Sequence, residues 1–445
     1  MSVAQLAREL RTGVLTPKEA TQAYLDRIEQ VDGEINAYIT VRRDEALAEA
    51  DALVRAEERG PLWGVPIGIK DVIDVAGTRT TAASAILADN VPARDALTVE
   101  RLREAGAVIL GKLNTHEFAF GATTTSPHFG PSRNPWSPDR ICGGSSGGSG
   151  AAAAADLAAG TLGTDTAGSI RIPACLCGIT GLRPSSGLVP NHGVVPVSWT
   201  FDTVGPVARS AEDCALILDA IAHTTATTSL NGGVKGLRIG VVEALFDLAE
   251  PRIAAAARAC VEALTELGAT AEPVEVRMLV EAGTINQLQM LPEATSVHLE
   301  WMRTRLEEYG ADVRARLLAG LFLPATAYVT GMRARRVYMA GIDRLFERFD
   351  VLAAPAMPVI APRLDQTDVE MGGEVLAYRL AIMPFNSPWS LAGLPILSVP
   401  SGFVDGMPVG VSLVGRRFGE ETVLRAGHSF QQATDWHERR PGGTV

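Results

Sequence analysis

The chain is short of the residues that staple or anchor a protein. It has five cysteines, Cys142, Cys175, Cys177, Cys214 and Cys260. The number is odd, the density is low and no C-x-x-C pair is present, which excludes a disulfide scaffold and points to a reducing, cytoplasmic setting. Cys175 and Cys177 lie in the apolar stretch IPACLCGITGL and read as small buried hydrophobes. Too little His or Cys lies nearby for a metal site, and none is expected. No apolar run approaches the ~20 residues of a membrane-spanning helix. The segment VLAAPAMPVIAP at 351–362 is apolar but holds three prolines. The first ten residues carry Arg8 and Glu9 where a secretory signal would need an apolar core. Lys and Arg are scattered over a chain of formal net charge −11, without a basic stripe. Neither nucleic acid nor a membrane is therefore expected as a partner. Internal repeats and low-complexity linkers are also missing.

What is present is an alternation of helix-like and strand-like segments along 445 residues with 47% hydrophobic content. Residues 2–30 predict two helices, the second opened by Thr16, Pro17 and Glu19 as a hydroxyl cap with proline in the first turn. Helices are also predicted over 43–59, 96–105, 150–159, 209–222, 251–267 and near 420–433, and 280–350 reads as mostly helical. Strands are predicted in VPIGIKDVIDV, at 107–114, 236–242 and 407–415, and within DVLAAPAMPVIAP and LPILSVPSGF. Residues 121–141 read as loop. Strands spread along the whole sequence argue for one continuous α/β domain, 1–445.

The chemistry concentrates in residues 143–171, GGSSGGSGAAAAADLAAGTLGTDTAGSIR. Two Gly/Ser loops flank an Ala-rich run. Glycines let backbone N–H groups approach a ligand closely, and a serine there is a nucleophile only if a base activates it. No lysine follows the glycines as a P-loop requires. The preceding SRNPWSPDRIC is loop-like, unlike the strand before a dinucleotide fingerprint. Gly144-Ser145-Ser146-Gly147-Gly148 matches the α/β-hydrolase elbow G-x-S-x-G literally, with His428 downstream, but no apolar strand leads into it. His116-Glu117 lacks the second histidine of a zinc protease. Lysine remains as base. Lys70 is the only lysine between Lys18 and Lys112 and sits among apolar and glycine residues. Burial lowers a lysine pKa toward neutrality. Strand alternation should point Asp71 to the opposite face. A surface charge on an edge strand is the other reading of Lys70.

GVPIGIKD, CGGSSGGSGAAAAAD and GTDTAGSIRIPACLCGITGLRPS, with LAGLPILSVPSG and GMPVGVSLVG near the C-terminus, resemble the amidase signature family. The likeness is strongest over residues 60–225. It implies an α/β fold with a mixed central sheet covered by helices on both faces. It also implies a variable helical pocket region at about 245–350. By this resemblance Ser169 is the nucleophile, Ser145, 24 positions earlier, is a proton relay after a cis peptide bond, and Lys70 is the base. The backbone N–H groups of Thr166, Ala167, Gly168 and Ser169 would form the oxyanion hole. Ala167 stands where the family commonly has glycine, which is harmless unless that position needs positive φ. Ser146, Ser149 and Asp165 would tie the two loops together. No cofactor is implied.

The substrate is less legible. Candidate pocket residues are Phe118, Gly121, Ala122 and Thr123, with Phe120 beside them, then Arg171, Trp199, the stretch 285–335, Phe385 and Asn386. Arg171 reads either as a partner for a substrate carboxylate or as a structural pair. Apolar runs in 285–335 favour hydrophobic amides, anilides or carbamates. The expected activity is hydrolysis of an amide C–N bond through a Ser169 acyl-enzyme, urethane cleavage included. The expected substrate is a small molecule, and a homodimer through the N-terminal helices is the expected assembly. The alternative is the glutamine-hydrolysing A subunit of a tRNA-dependent amidotransferase. VERLREAGAVILGKLNTHEFAFG and FGPSRNPW resemble that protein. Against it stand a short C-terminal portion and the lack of an acid just before LAGLP. An esterase of the α/β-hydrolase type ranks behind both.

Overall fold

Apolar, β-branched runs from every part of the chain meet in one eleven-stranded mixed sheet. The structure, a computed structural model, describes residues 1–54 and 59–442. The strands are β1 (Tyr38–Val41), β2 (Pro66–Lys70), β3 (Val108–Leu113), β4 (Gly160–Asp165), β5 (Thr180–Arg183), β6 (Thr203–Ala208), β7 (Arg238–Val241), β8 (Thr270–Pro273), β9 (Val351–Pro355), β10 (Ile396–Val404) and β11 (Met407–Gly415). Their spatial order is β1-β3-β2-β4-β6-β5-β10-β11-β9-β7-β8. Parallel pairs, β3-β2-β4 on one side and β9-β7-β8 on the other, flank an antiparallel centre. Every residue of β2, β3, β4 and β6 is buried, as expected for strands covered by helices on both faces.

Local chemistry explains some element ends. Thr16 and Glu19 form a reciprocal capping box that opens the helix Pro17–Ile35. The helix expected over 43–59 runs from Arg43 to Val54, and 55–58 lie outside the described residues. The Ala-rich helix starts earlier and stops sooner than expected, spanning Gly147–Ala154. Its glycines let it pack hard on its neighbours: a Cβ on Gly148 would lie 2.5 Å from the Asn114 carbonyl oxygen. Asp156, at φ 55°, turns the chain just past its end. The region 280–350 is helical as expected, in Glu281–Thr304, Ala311–Leu321 and Ala325–Leu345.

One helix has no signature in the sequence. Tyr378–Ala392 contains Pro384 and Pro388, and an interior proline costs a helix ~3 kcal/mol. Burial of Phe385, Trp389 and Leu391 in the core offsets that cost. Proline acts as expected in DVLAAPAMPVIAP, where the strand ends at Pro355. All five cysteines are buried and free. Among the described residues no single helix is long and apolar enough to cross a membrane; the nearest approach, Ala311–Leu321 with Ala325–Leu345, is bent by 95°.

Candidate active site

Lys70 is the last residue of β2, and alternation sends it and Asp71 to different environments. Asp71 faces Lys112, whose Nζ lies 2.9 Å away, and it accepts a hydrogen bond from the Thr81 hydroxyl. Lys70 faces the two Gly/Ser loops. Its Nζ is fully buried, 2.7 Å from Ser145 Oγ, 2.9 Å from Ser146 Oγ and 2.8 Å from Thr164 Oγ1. Burial pushes this amine down to about 7, against the pull of Asp202 and Asp165. A neutral amine has two N–H donors and one lone pair, so with three hydroxyls around it one must donate. Ser146 directs its proton to the Thr164 carbonyl at 3.0 Å. Of Ser145 and Thr164, one donates to the single lone pair of Lys70 and the other accepts its second N–H. Ser146, the elbow serine of the literal motif, is thus a strut between loops. His428 lies in the helix Glu420–Ala433, on a surface lined by Met1, Arg8 and Glu212, away from these loops.

The Gly144–Ser145 peptide is cis. Three donors hold the Ser145 carbonyl: Thr115 Oγ1 at 2.9 Å, Thr124 Oγ1 at 3.2 Å and the His116 N–H at 3.1 Å. Only glycine fits at 144, since a Cβ there would lie 2.7 Å from the Thr123 nitrogen. The Ser146 N–H donates to the Ser169 carbonyl at 3.1 Å and ties the two loops.

Asp165 organises the second loop. Its carboxylate accepts the Gly168 N–H at 2.8 Å and the Ile170 N–H at 3.1 Å. Arg171 pairs with both its oxygens at 3.0 Å, and Arg183 lies 3.2 Å away. All three side chains are fully buried. Burial works to raise the Asp165 carboxyl, but Arg171, Arg183 and the Gly168 amide together hold it well below the carboxylate range. Two expectations are corrected here. Arg171 does not reach substrate, because Asp165, the Asn386 carbonyl at 3.1 Å and Ser390 Oγ at 2.6 Å use its guanidinium. Gly168 is not an oxyanion donor, because its N–H already binds Asp165. Among the described residues no acceptor takes the N–H of Thr166, Ala167 or Ser169, so these remain for an oxyanion. The positive φ of the loop, 126°, falls on Gly168 and not on Ala167, so alanine at 167 is unstrained.

Removing one partner of a buried ion cluster is costly, at ~3–5 kcal/mol. Arg171→Met is therefore expected to lower stability by ~3 kcal/mol, with Arg183 still opposing Asp165. Urea unfolding measures it, and a change below ~1 kcal/mol would show that the cluster does not hold the loop.

A cleft opens above Ser169. Gly121, Ala122 and Phe120 line it, together with Gly144, Thr166, Ala167 and Ile172. Several expected residues lie elsewhere. Phe118 is fully buried against His298, Trp301 and Tyr309, with ring centroids 4.4, 5.8 and 5.6 Å away. Thr123 bonds to His116 Nδ1 at 3.3 Å and Thr125 Oγ1 at 2.9 Å and is not part of the lining. Trp199 is 59% exposed and outside the cleft. On Tyr378–Ala392, residues 379, 382, 383 and 387 face the cleft at helical spacing, so Phe385 points to the core. Asn386 sits behind the loop, with Oδ1 2.8 Å from where a Cβ on Gly168 would be.

Other lining residues carry no sequence signal of their own. They are Val197, Arg379, Ile382 and Met383, whereas Gln287, Met290 and Arg316 come from the stretch 285–335 expected at the pocket and Ser387 from beside Phe385 and Asn386. Asp202 likewise has no signature. It accepts from Thr166 Oγ1 at 2.6 Å and from the amides of Val197 and Ser198 at 2.8 and 3.0 Å. Burial pushes its carboxyl up to about 6, against the hydrogen bond from Thr166.

Known proteins resemble this one along the whole chain. A family model described as Amidase matches residues 19–424. The A subunit of the glutamyl-tRNA(Gln) amidotransferase from Moorella thermoacetica is 39% identical over 482 residues, covering 99% of this chain and 98% of that protein. A solved structure described as a vestigial protein complex revealing the origins of an s-triazine catabolic enzyme superposes with a TM-score of 0.93. It is 36% identical and covers 97% of this chain and 98% of its own. The corresponding A subunit from Thermotoga maritima gives a TM-score of 0.81 at 32% identity, over 98% and 95% of the two chains. These relatives correct the expectation of a small-molecule substrate with no nucleic acid, since full-length counterparts are named for a glutamyl-tRNA amidotransferase. Scattered Lys and Arg report on this chain's own surface. They say nothing of what a partner protein would hold.

Proposed function

Because this chain belongs to the amidase signature family, we propose that it is the glutamine-hydrolysing A subunit of a tRNA-dependent amidotransferase. The observation that carries the chemistry is the buried contact of 2.7 Å between Lys70 Nζ and Ser145 Oγ beside the Ser169 cleft. Ser169 attacks the side-chain amide of glutamine as its proton passes through Ser145 to neutral Lys70. The N–H groups of Thr166, Ala167 and Ser169 hold the oxyanion, each donor worth ~3 kcal/mol. Ser145 returns the proton to the departing nitrogen, because an amine leaves poorly unless protonated. Water then cleaves the glutamyl ester, and the ammonia passes to a partner protein that holds glutamyl-tRNA, where the glutamyl carboxylate must first be activated as an ester whose oxygen leaves as the amide forms. The full-length likeness to A subunits supports this role.

A second reading, hydrolysis of an amide, anilide or urethane in the chain's own right, draws support from the cleft's apolar lining of Phe120, Ile172, Met290 and Ile382. Ammonia release separates the two. The chain, with and without co-expressed partner proteins and glutamyl-tRNA, is expected to release ammonia from glutamine, faster in the full assembly. Turnover of anilides or urethanes with none of glutamine in either setting would contradict the amidotransferase role.

A further inference from the structure

Two buried carboxylates stand in line behind the oxyanion loop. The first is Asp202. Antiparallel pairing of β6 with β4 sets Thr203 opposite Asp165. One residue further on, Asp202 just before β6 meets Thr166 just after β4. Asp202 Oδ1 accepts the Thr166 hydroxyl at 2.6 Å, and Oδ2 accepts the amides of Val197 and Ser198 at 2.8 and 3.0 Å. The second is Glu293, on the helix Glu281–Thr304 and only 2% exposed. It accepts the Ser198 hydroxyl, the Thr200 hydroxyl at 2.6 Å and the Tyr328 hydroxyl at 2.9 Å. One line of hydrogen bonds therefore runs from the helical layer through residues 198–202 to the loop that carries Ser169.

Among the described residues neither carboxylate makes an ion pair; hydroxyls and amides answer both. Burying a carboxylate against neutral donors alone is unfavourable. A strut of neutral groups would join the same segments at less cost, so the inner end of the line carries the explanation. That end is Thr166. Asp165 fixes the other side of the loop through the amides of Gly168 and Ile170. It makes no bond to Thr166, whose N–H is one of the donors left for an oxyanion. With Thr166 Oγ1 held by Asp202, the Cα that carries this N–H cannot swing.

We propose that Asp202 is a positioning residue for the oxyanion hole: through the Thr166 hydroxyl it aims the Thr166 N–H into the cleft, and Glu293 steadies it from the helical layer. The proposal rests on Ser169 as the nucleophile and not on which amide is cleaved.

The test is phosphonylation of Ser169 by a fluorophosphonate, which works whatever the substrate. The Ser169 oxygen bonds to phosphorus, fluoride leaves, the serine proton passes through Ser145 to Lys70, and the phosphoryl oxygen takes the oxyanion's place. Saturation kinetics separates the maximal labelling rate from the half-saturating concentration. Thr166→Val keeps the branched shape and removes the link to Asp202. It is expected to lower the maximal rate about 10- to 100-fold, less than losing a whole donor, with the half-saturating concentration within about threefold of the parent. Asp202→Asn is expected to follow it; should that variant misfold, Thr166→Val decides alone. Thr166→Ser restores the hydroxyl and should stay within about threefold of the parent rate. Glu293→Gln, one link further back, should lose about three- to tenfold. Parent-like rates in Thr166→Val or Glu293→Gln, a loss confined to the half-saturating concentration, or Thr166→Ser as slow as Thr166→Val would overturn the proposal. Failure of the underlying chemistry reads differently: the adduct would then form on a residue other than Ser169.

Discussion

Ser169→Ala is expected to lower kcat by at least about 10⁴-fold on any amide the chain hydrolyses, with the fold intact. The substitution removes one oxygen from a residue only 9% exposed, at the floor of the cleft. The loop's shape does not depend on that oxygen, because the amides of Gly168 and Ile170 are held by Asp165. The remaining donors can still bind and polarise the carbonyl, so KM should change little while kcat collapses. Single-turnover kinetics with circular dichroism on the same sample checks both halves. Turnover within tenfold of the parent would remove Ser169 from the chemistry.

Lys70→Met is expected to cost about 10³- to 10⁴-fold in kcat, the upper range for losing a general base. Methionine keeps the apolar volume and discards the lone pair that Ser145 needs. The pH profile is the sharper readout. Lys70 accepts a proton only when neutral, and burial pushes it down to about 7. In the parent, kcat/KM should therefore fall tenfold per pH unit below about 7 and level off above it. In Lys70→Met that limb should vanish. Stability gives an independent sign. The unfolded amine keeps the ordinary value of 10.5, so between about 7 and 10.5 the unfolded chain binds more protons than the folded one. Folding stability from this group rises with pH across that window, and its burial penalty is fullest below about 7. Lys70→Met should remove this rise. A parent profile flat from pH 5 to 9 would contradict the assignment.

The parts legible in the sequence are those where a local pattern dictates geometry. Glycines at 143 and 144 mark a loop, and those at 147 and 148 the start of a helix, where a Cβ would meet its neighbours, and alternation in VPIGIKD separates Lys70 from Asp71. Lys70 accordingly meets Ser145 and Ser146 where those two patterns converge. The illegible parts are contacts between distant segments. Nothing near Arg171 says that its neighbour Asp165 will claim it, because the pairing depends on how the loop turns at Gly168. Phe118 and Phe120 are two residues apart, yet one packs among His298, Trp301 and Tyr309 and the other lines the cleft. Arg379 opens a helix whose two prolines read as loop, so its place over the cleft has no signature. The expectation of no nucleic acid fails for another reason: surface charge describes one chain, and the relatives are named as parts of a larger enzyme.

Covalent labelling tests the central claim most directly, that Ser169 and not its neighbour in the Gly/Ser motif is the nucleophile. A fluorophosphonate should form one adduct per chain, and peptide mass mapping should place it on Ser169. Labelling should be lost in Ser169→Ala and slowed in Lys70→Met. An adduct on Ser146, or undiminished labelling of Ser169→Ala, would contradict the account.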